Sequence, residues 1–365
     1  MKKLIGIVAA CLLSTQLNTN AQQNLAVQPS DVQPASSLPL ETDQQSQILS
    51  IGSIAPSLKV VAHNPLSAIS GSTSDYLGQR AVQLLILTPD YSAPASIANF
   101  ENGSSTLQAF WKTSDGPFIF VAGVSAKDPK VIPFLLPRGS NEVIFHIDNG
   151  NLARRYGQSR PGATVVAIDR AGFIRHIDKV TDAKQARDLM LRIGDPTPKL
   201  EVGKVAPDFS MVDMNGIVRR LSDLRGKKNL LLTFFPKCFT GGCTNHLTSI
   251  QKEHLSYLAS ETETWAVSVD PAEGEKGQLA FAERWGFQFP LIPDVGRNLS
   301  ILYGAAENPQ QLASRMSVLI DKDGIVRLID KNVDIYTHGS DIIMQMRRLG
   351  MIPTAAAPNS SDQKK

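Results

Sequence analysis

One pattern about 150 residues long occurs twice in this 365-residue chain, and it limits the fold more than any other feature. Ile51-Gly52-Ser53-Ile54-Ala55-Pro56 returns as Val202-Gly203-Lys204-Val205-Ala206-Pro207. The run VQLLILTP at 82–89 returns as NLLLTFFP at 229–236, and Tyr156-Gly157 as Tyr303-Gly304. The clearest pair is IDRAGFIRHID at 168–178 and IDKDGIVRLID at 320–330. Chance matches would not keep their order. Two copies of one domain are therefore expected, at 49–197 and 198–352, with Gly194-Asp195-Pro196-Thr197-Pro198 as the joint. Two domains also suit the length.

Each copy alternates strands and helical stretches, which predicts an α/β three-layer fold. In the second copy, Leu230 to Phe235 is an apolar run suited to a central buried strand. Leu247, Ile250, Leu255 and Leu258 then predict one helix with an apolar face. Thr264 to Asp270 is a second strand. Arg315 to Ile320 and Ile325 to Ile329 flank a hairpin turn at Asp321-Lys322-Asp323-Gly324. A last helix is expected from Ser340, as its N-cap, to Leu349, with Gly350 as its stop.

The two ends have a different character. Met1-Lys2-Lys3, an apolar core from Leu4 to Leu13 and small residues near Ala21 read as a cleavable export signal over 1–21. A rival reading takes Val8-Ala9-Ala10-Cys11 as a lipobox, with Cys11 as a lipid anchor. Residues 22–48 and 353–365, rich in Gln, Ser, Pro and Ala, are expected to be a disordered leader and tail. No segment is long and apolar enough for a transmembrane helix. Export places the mature chain in an oxidising compartment, periplasmic or extracellular. A net charge of +3 without a basic run argues against nucleic acid as a partner. Three cysteines (Cys11, Cys238, Cys243) are too few for a disulfide scaffold or a cysteine-based zinc site. No cofactor or metal is expected, since His246 and His254 lack a carboxylate partner.

The chemistry gathers in Pro236-Lys237-Cys238-Phe239-Thr240-Gly241-Gly242-Cys243, between the buried strand and its helix. Cys243 is placed to begin that helix, where unpaired N–H groups and the helix dipole favour the thiolate, the nucleophilic form. The Thr240 hydroxyl can hydrogen-bond an anion or a bound oxygen. Pro236 ends the strand without an N–H and can shield the thiolate from water. His246, three residues on, is expected to face solvent. Trp265 and Trp285 are expected in the core or at its edge.

These residues carry a family resemblance. Pro236-x-x-x-Thr240-x-x-Cys243 resembles the active-site signature of the peroxiredoxins, the bacterioferritin-comigratory-protein type most of all. Val205-Ala206-Pro207-Asp208-Phe209, Ser268-Val269-Asp270, Phe289-Pro290-Leu291, Asp294 and Tyr303-Gly304 follow in the family's order. Arg315 resembles its distant arginine. The resemblance implies a thioredoxin-like fold and a peroxidatic Cys243, with Thr240 and Arg315 polarising the peroxide. It implies a hydrogen peroxide or organic hydroperoxide substrate and a thioredoxin-like or other thiol reductant as partner.

Two departures stand out. Gly241 replaces the usual proline, which reads as a looser turn. The usual second-cysteine position holds Thr248, while Cys238 lies five residues before Cys243. Cys238 is therefore a candidate resolving cysteine, with a permanent disulfide to Cys243 as the rival reading. The first copy places Ser96, Ala93 and Ala163 at the positions of Cys243, Thr240 and Arg315, so it reads as a degenerate thioredoxin-like domain with an unknown partner. Two other functions remain open: a thiol-disulfide oxidoreductase, although that prefers Cys-x-x-Cys, and a non-catalytic binding protein.

Overall fold

The computed structural model describes residues 49–64, 67–87, 118–124, 144–147, 151–157, 163–181 and 183–352. The expected export signal with Cys11, the leader, the tail, Ala93 and Ser96 lie outside the described residues.

Two sheets dominate. The first has seven strands: β1 (Lys59–Asn64), β2 (Ser67–Ser72), β3 (Ala81–Leu87), β4 (Phe118–Val124), β5 (Ile144–Ile147), β6 (Ala163–Ile168) and β7 (Ile174–Val180), ordered β2-β1-β5-β4-β3-β6-β7. Short helix α1 (Asn151–Arg155) and helix α2 (Ala183–Ile193) accompany it. The hairpin of β8 (Ser210–Val212) and β9 (Val218–Arg220) leads to the second sheet. That sheet has β10 (Asn229–Phe234), β11 (Thr262–Ser268), β12 (Leu291–Pro293), β13 (Met316–Ile320) and β14 (Val326–Asp330), ordered β12-β11-β10-β13-β14. Its helices are α3 (Gly241–Lys252), α4 (His254–Ala259), α5 (Gln278–Trp285), α6 (Asn298–Leu302) and α7 (His338–Arg348). The C-terminal part thus has a mixed five-stranded sheet within an α/β fold. Among the described residues no helix is long and apolar enough to cross a membrane.

Strand pattern explains the central position of β10. All six of its residues are buried, as a strand covered on both faces requires. Alternation then sends successive side chains to opposite cores. Leu230, Leu232 and Phe234 join Phe209, Trp265, Tyr303 and Val318 on one face. Leu231 joins Phe235, Cys238, Cys243, Leu247, Phe281 and Ile343 on the other. β10 runs parallel to β11 and antiparallel to β13, with Leu230 opposite Ile320 and Phe234 opposite Met316. In the first sheet β3 is parallel to β4 and antiparallel to β6, with Val82 opposite Ile168. A hairpin closes each sheet, and both carry a register shift at the same place, between Ala167 and Ile168 and between Leu319 and Ile320.

The hairpin turns share a device. Asp169 accepts from the Ala171 and Phe173 N–H groups and binds Arg175; Asp321 treats Asp323, Ile325 and Arg327 likewise. Asp213 does the same for Asn215, Ile217 and Arg219 in the β8–β9 turn. Gly172, Gly216 and Gly324 take φ values of +86, +79 and +79, which L side chains rarely adopt.

The two parts meet through the first hairpin. Ala171 and Phe173 are buried in the same cluster as Phe209 and Tyr303. Asn298 Nδ2 donates to Ala171 O at 2.7 Å, Arg175 Nη1 to Asp208 O at 2.6 Å, and Ser210 N to Gly52 O at 2.8 Å. The stretch Gly194 to Pro198 is half-buried and hydrogen-bonded: Gly194 O accepts from Gln83 Nε2, and Asp195 binds both Arg170 and Thr197.

Several expectations need correction. The single helix expected through Leu258 is two helices, with Glu253 between them. Leu255 and Leu258 are exposed, and Tyr257 is the buried residue of α4, donating its hydroxyl to Gly339 O at 2.8 Å. β11 begins two residues earlier than expected and stops at Ser268. The last helix starts at His338 with Thr337 as N-cap; Ser340 lies inside it and donates to Thr337 O. Gly350, at φ +69, follows that helix as expected.

Candidate active site

The loop of Pro236 to Cys243 leaves the C-terminal end of β10 and turns straight into α3. Pro236 is half-buried, one residue after Phe235, whose N–H donates to Val267 O. Phe239 takes φ +58, an uncommon conformation for a side chain of its size, and its ring lies 5.0 Å from that of Phe281. Thr240 is the N-cap of α3, so Cys243 is the third helical residue, among the N–H groups that a helix leaves unpaired. Cys243 is completely buried.

Strand register supplies its charged partner. Phe234, the last residue of β10, lies opposite Met316, so Arg315 stands beside the point where the loop departs. Arg315 Nη2 donates to Cys243 Sγ at 3.5 Å. The guanidinium passes directly over Gly242, where an added Cβ would lie 2.6 Å from Nη2. Around Gly241 an added Cβ meets nothing within 4 Å. The two glycines that read as a loose turn are the first two residues of the helix, and the second makes room for the arginine.

The structure does not bring the Thr240 hydroxyl to Cys243. Thr240 is exposed, and its Oγ1 donates to Lys237 O at 3.2 Å. Cys238 and Cys243 are both free thiols in this structure. Cys238 is buried in a polar cage. Its N–H donates to Asp270 Oδ2 at 2.7 Å, and its Sγ lies 3.8 Å from Ser268 Oγ. Ser268 Oγ donates to Asp270 Oδ2 at 2.9 Å and accepts from Gln278 Nε2 at 2.9 Å. Burial and the adjacent Asp270 carboxylate push the Cys238 thiol well up from its ordinary value.

His246 is the clearest departure from expectation. Its side chain is fully buried, because its turn of α3 packs against α7. Its ring meets that of His338 edge-on, with centroids 5.0 Å apart. Thr233 Oγ1 lies 3.3 Å from His246 Nε2, Ser317 Oγ donates to Thr233 Oγ1 at 2.7 Å, and His338 Nε2 lies 2.7 Å from Ser317 Oγ. Burial lowers both histidines below their usual value, His246 further still because His338 and Arg315 are near. Sequence reasoning missed this network. Thr233 and Ser317, polar residues inside otherwise apolar strands, were its visible signal. Trp265 is in the core, as expected, and Trp285 is exposed. Asp294 staples the start of α6 by accepting from Leu299 N, Ser300 N and Ser300 Oγ. Among the described residues no group of three or more His, Cys, Asp or Glu side chains could hold a metal ion.

Comparison with known proteins supplies the context. The model of the AhpC/TSA family matches residues 202–329. Alkyl hydroperoxide reductase E of Mycobacterium tuberculosis is 34% identical over 133 residues, which cover 36% of this chain and 85% of that protein. The chloroplastic 2-Cys peroxiredoxin BAS1 of Spinacia oleracea is 32% identical over 176 residues, 46% of this chain and 64% of the relative. Among solved structures, peroxidoxin BcpB of Mycobacterium tuberculosis matches 41% of this chain and 98% of its own, with 23% identity and a TM-score of 0.38. A cysteine-bearing loop at a helix N-terminus, an arginine on its sulfur and this degree of identity to an alkyl hydroperoxide reductase lead to one conclusion: the chain belongs to the AhpC/TSA family, the peroxiredoxin-type thiol peroxidases.

Proposed function

We propose that this protein is an exported thiol peroxidase in which Cys243 reduces hydrogen peroxide or organic hydroperoxides. One observation carries the assignment: the Arg315 guanidinium donates to a Cys243 sulfur held in the first turn of α3. In the reaction the Cys243 thiolate attacks the nearer peroxide oxygen. An S–O bond forms, the O–O bond breaks, and Cys243 becomes a sulfenic acid. The departing hydroxide or alkoxide takes a proton and leaves as water or alcohol. Arg315 holds the thiolate beforehand and faces the charge that develops on the oxygens. Thr240 contributes a hydroxyl to the peroxide by exchanging its bond to Lys237 O. An external thiol donor then resets the enzyme.

The N-terminal part, in this reading, is a thioredoxin-like copy that has lost the chemistry. Its support is the strand order β5-β4-β3-β6-β7, which parallels β12-β11-β10-β13-β14, and the place of Ala163. Ala163 lies opposite Leu87 at the start of β6, one residue before the position that matches Met316, so a methyl group stands where the second part has Arg315.

The assay is consumption of hydrogen peroxide by the full chain with a thioredoxin-type reductant. Cys243→Ser is expected to abolish it. An undiminished rate in that variant would remove the assignment. N-terminal sequencing of the protein recovered outside the cytoplasm tests export, with a start near Gln22 expected.

A further inference from the structure

We propose that Ser268 and Asp270 form a proton relay that prepares Cys238 to attack Cys243 once Cys243 has become a sulfenic acid. The inference rests on the peroxidase reading above and assigns the step that follows it.

Hydrogen counting around Ser268 sets the direction of the relay. A hydroxyl carries one hydrogen. That of Ser268 is committed to Asp270 Oδ2, at 2.9 Å. Gln278 Nε2 donates to the same oxygen and takes one of its two lone pairs, and the second is shared between Asp270 N, at 3.4 Å, and the Cys238 sulfur. The 3.8 Å contact between Cys238 Sγ and Ser268 Oγ can then run only with the thiol as donor. Sulfur, hydroxyl and carboxylate thus form a continuous line of transfer: Cys238 S–H to Ser268, Ser268 O–H to Asp270. Asp270 also anchors the backbone of the cysteine it serves, by accepting its N–H at 2.7 Å.

The same cage keeps Cys238 idle at rest. The buried carboxylate nearby disfavours a standing thiolate, so Cys238 itself does not compete for peroxide. It needs a base only at the moment of attack, and Asp270 is that base, through one hydroxyl. The step balances with no further reactant. Cys238 gives its proton to Ser268 as Ser268 gives its own to Asp270. The Cys238 sulfur bonds to the Cys243 sulfur, and the S–O bond of the sulfenic acid breaks. The hydroxide that departs takes the proton back from Asp270 and leaves as water. The Cys238 sulfur is oxidised and the Cys243 sulfur reduced, each by one electron equivalent. Four residues lie between the two cysteines, so the ring closes through the Phe239 turn. That turn holds a positive φ of 58°.

The test treats the full chain with one equivalent of hydrogen peroxide. Samples are quenched over time with a sulfenate-trapping diketone and a thiol-blocking maleimide, and mass spectrometry measures sulfenic acid and Cys238–Cys243 disulfide between pH 5.5 and 9. In the natural protein the disulfide is expected to follow the sulfenic acid at a rate nearly independent of pH. Asp270→Asn keeps an acceptor for the Cys238 N–H and removes the base. Its sulfenic acid should persist about a hundredfold longer. Its rate of disulfide formation should climb about tenfold per pH unit, as hydroxide takes over. Ser268→Ala interrupts the relay without touching the carboxylate and should show the same pH profile, which covers the case of a misfolded Asp270→Asn. A natural protein that forms sulfenic acid but no Cys238–Cys243 disulfide overturns the relay, as do two variants with the natural rate and profile. Absence of sulfenic acid at Cys243 would instead remove the peroxidase reading and the relay together.

Discussion

At Gly242 a hydrogen in place of a methyl group decides where Arg315 can stand. An alanine there would put its Cβ 2.6 Å from Arg315 Nη2, while at Gly241 the same methyl finds open space. Arg315 is the far end of a long side chain, so the fold tolerates Gly242→Ala but the guanidinium moves off the sulfur. Loss of a charge-assisted hydrogen bond is worth about 1.5–3 kcal/mol, which corresponds to a drop of about tenfold or more in the rate with peroxide. Gly241→Ala should keep the natural rate. Single-turnover oxidation of the two variants side by side checks this, and equal rates would refute it. The sequence showed two adjacent glycines and a missing proline, but their purpose was hidden. The atom that needs the space comes from a residue more than seventy positions away, brought there by the register of β13. The place of Pro236 and Cys243 between a strand and a helix was legible because strand ends and helix starts leave local marks. The direction of the Thr240 hydroxyl was not, because a rotamer leaves none.

Between elements, the pairing of α3 with α7 carries the least legible chemistry. His246 lies one turn beyond Cys243, and only the close approach of the two helices turns it inward. Gly339 permits that approach: any Cβ there would collide with the backbone carbonyl of Ser249. Because backbone cannot yield as a flexible side chain does, Gly339→Ala should destabilise the protein by about 2–3 kcal/mol, measured by urea unfolding. The two histidines also predict an acid response. Both are held below their usual value, so the unfolded chain takes up protons more readily than the folded one. Arg315, at the head of β13, opposes protonation of His246. Asp330, ending β14, and Asp334 and Asp341, around the start of α7, oppose the lowering at His338 but do not reverse it. Stability should therefore be full above about pH 6.5 and fall as pH drops below it, by up to about 2.7 kcal/mol per pH unit while both titrate. Urea midpoints between pH 7.5 and 5 check the sign. Replacing both histidines with glutamine should flatten the slope.

On the scale of the whole molecule, the segments that match between the two halves were readable because they are a glycine turn, a central strand and a hairpin staple, all of which need particular residues. How the two parts join was not readable. Periodicity marks Phe173 as buried but does not say in whose core, and in fact it lies among Phe209, Leu299 and Tyr303 of the second part. Phe173→Ala should cost about 3–5 kcal/mol. Because the lost contacts belong to both parts, unfolding should remain a single transition, visible when tryptophan fluorescence and far-ultraviolet circular dichroism give one midpoint. Two separated midpoints would mean that the parts unfold independently.

Both thiols lie beneath the surface, Cys243 at 0% exposure and Cys238 at 4%. In the proposed cycle a reductant, far larger than a peroxide, can meet neither sulfur until the loop that carries them has opened. That loop should then act as the protein's clock: with enough donor, turnover is expected to level off at the frequency of opening, and donors of quite different strength to reach the same ceiling.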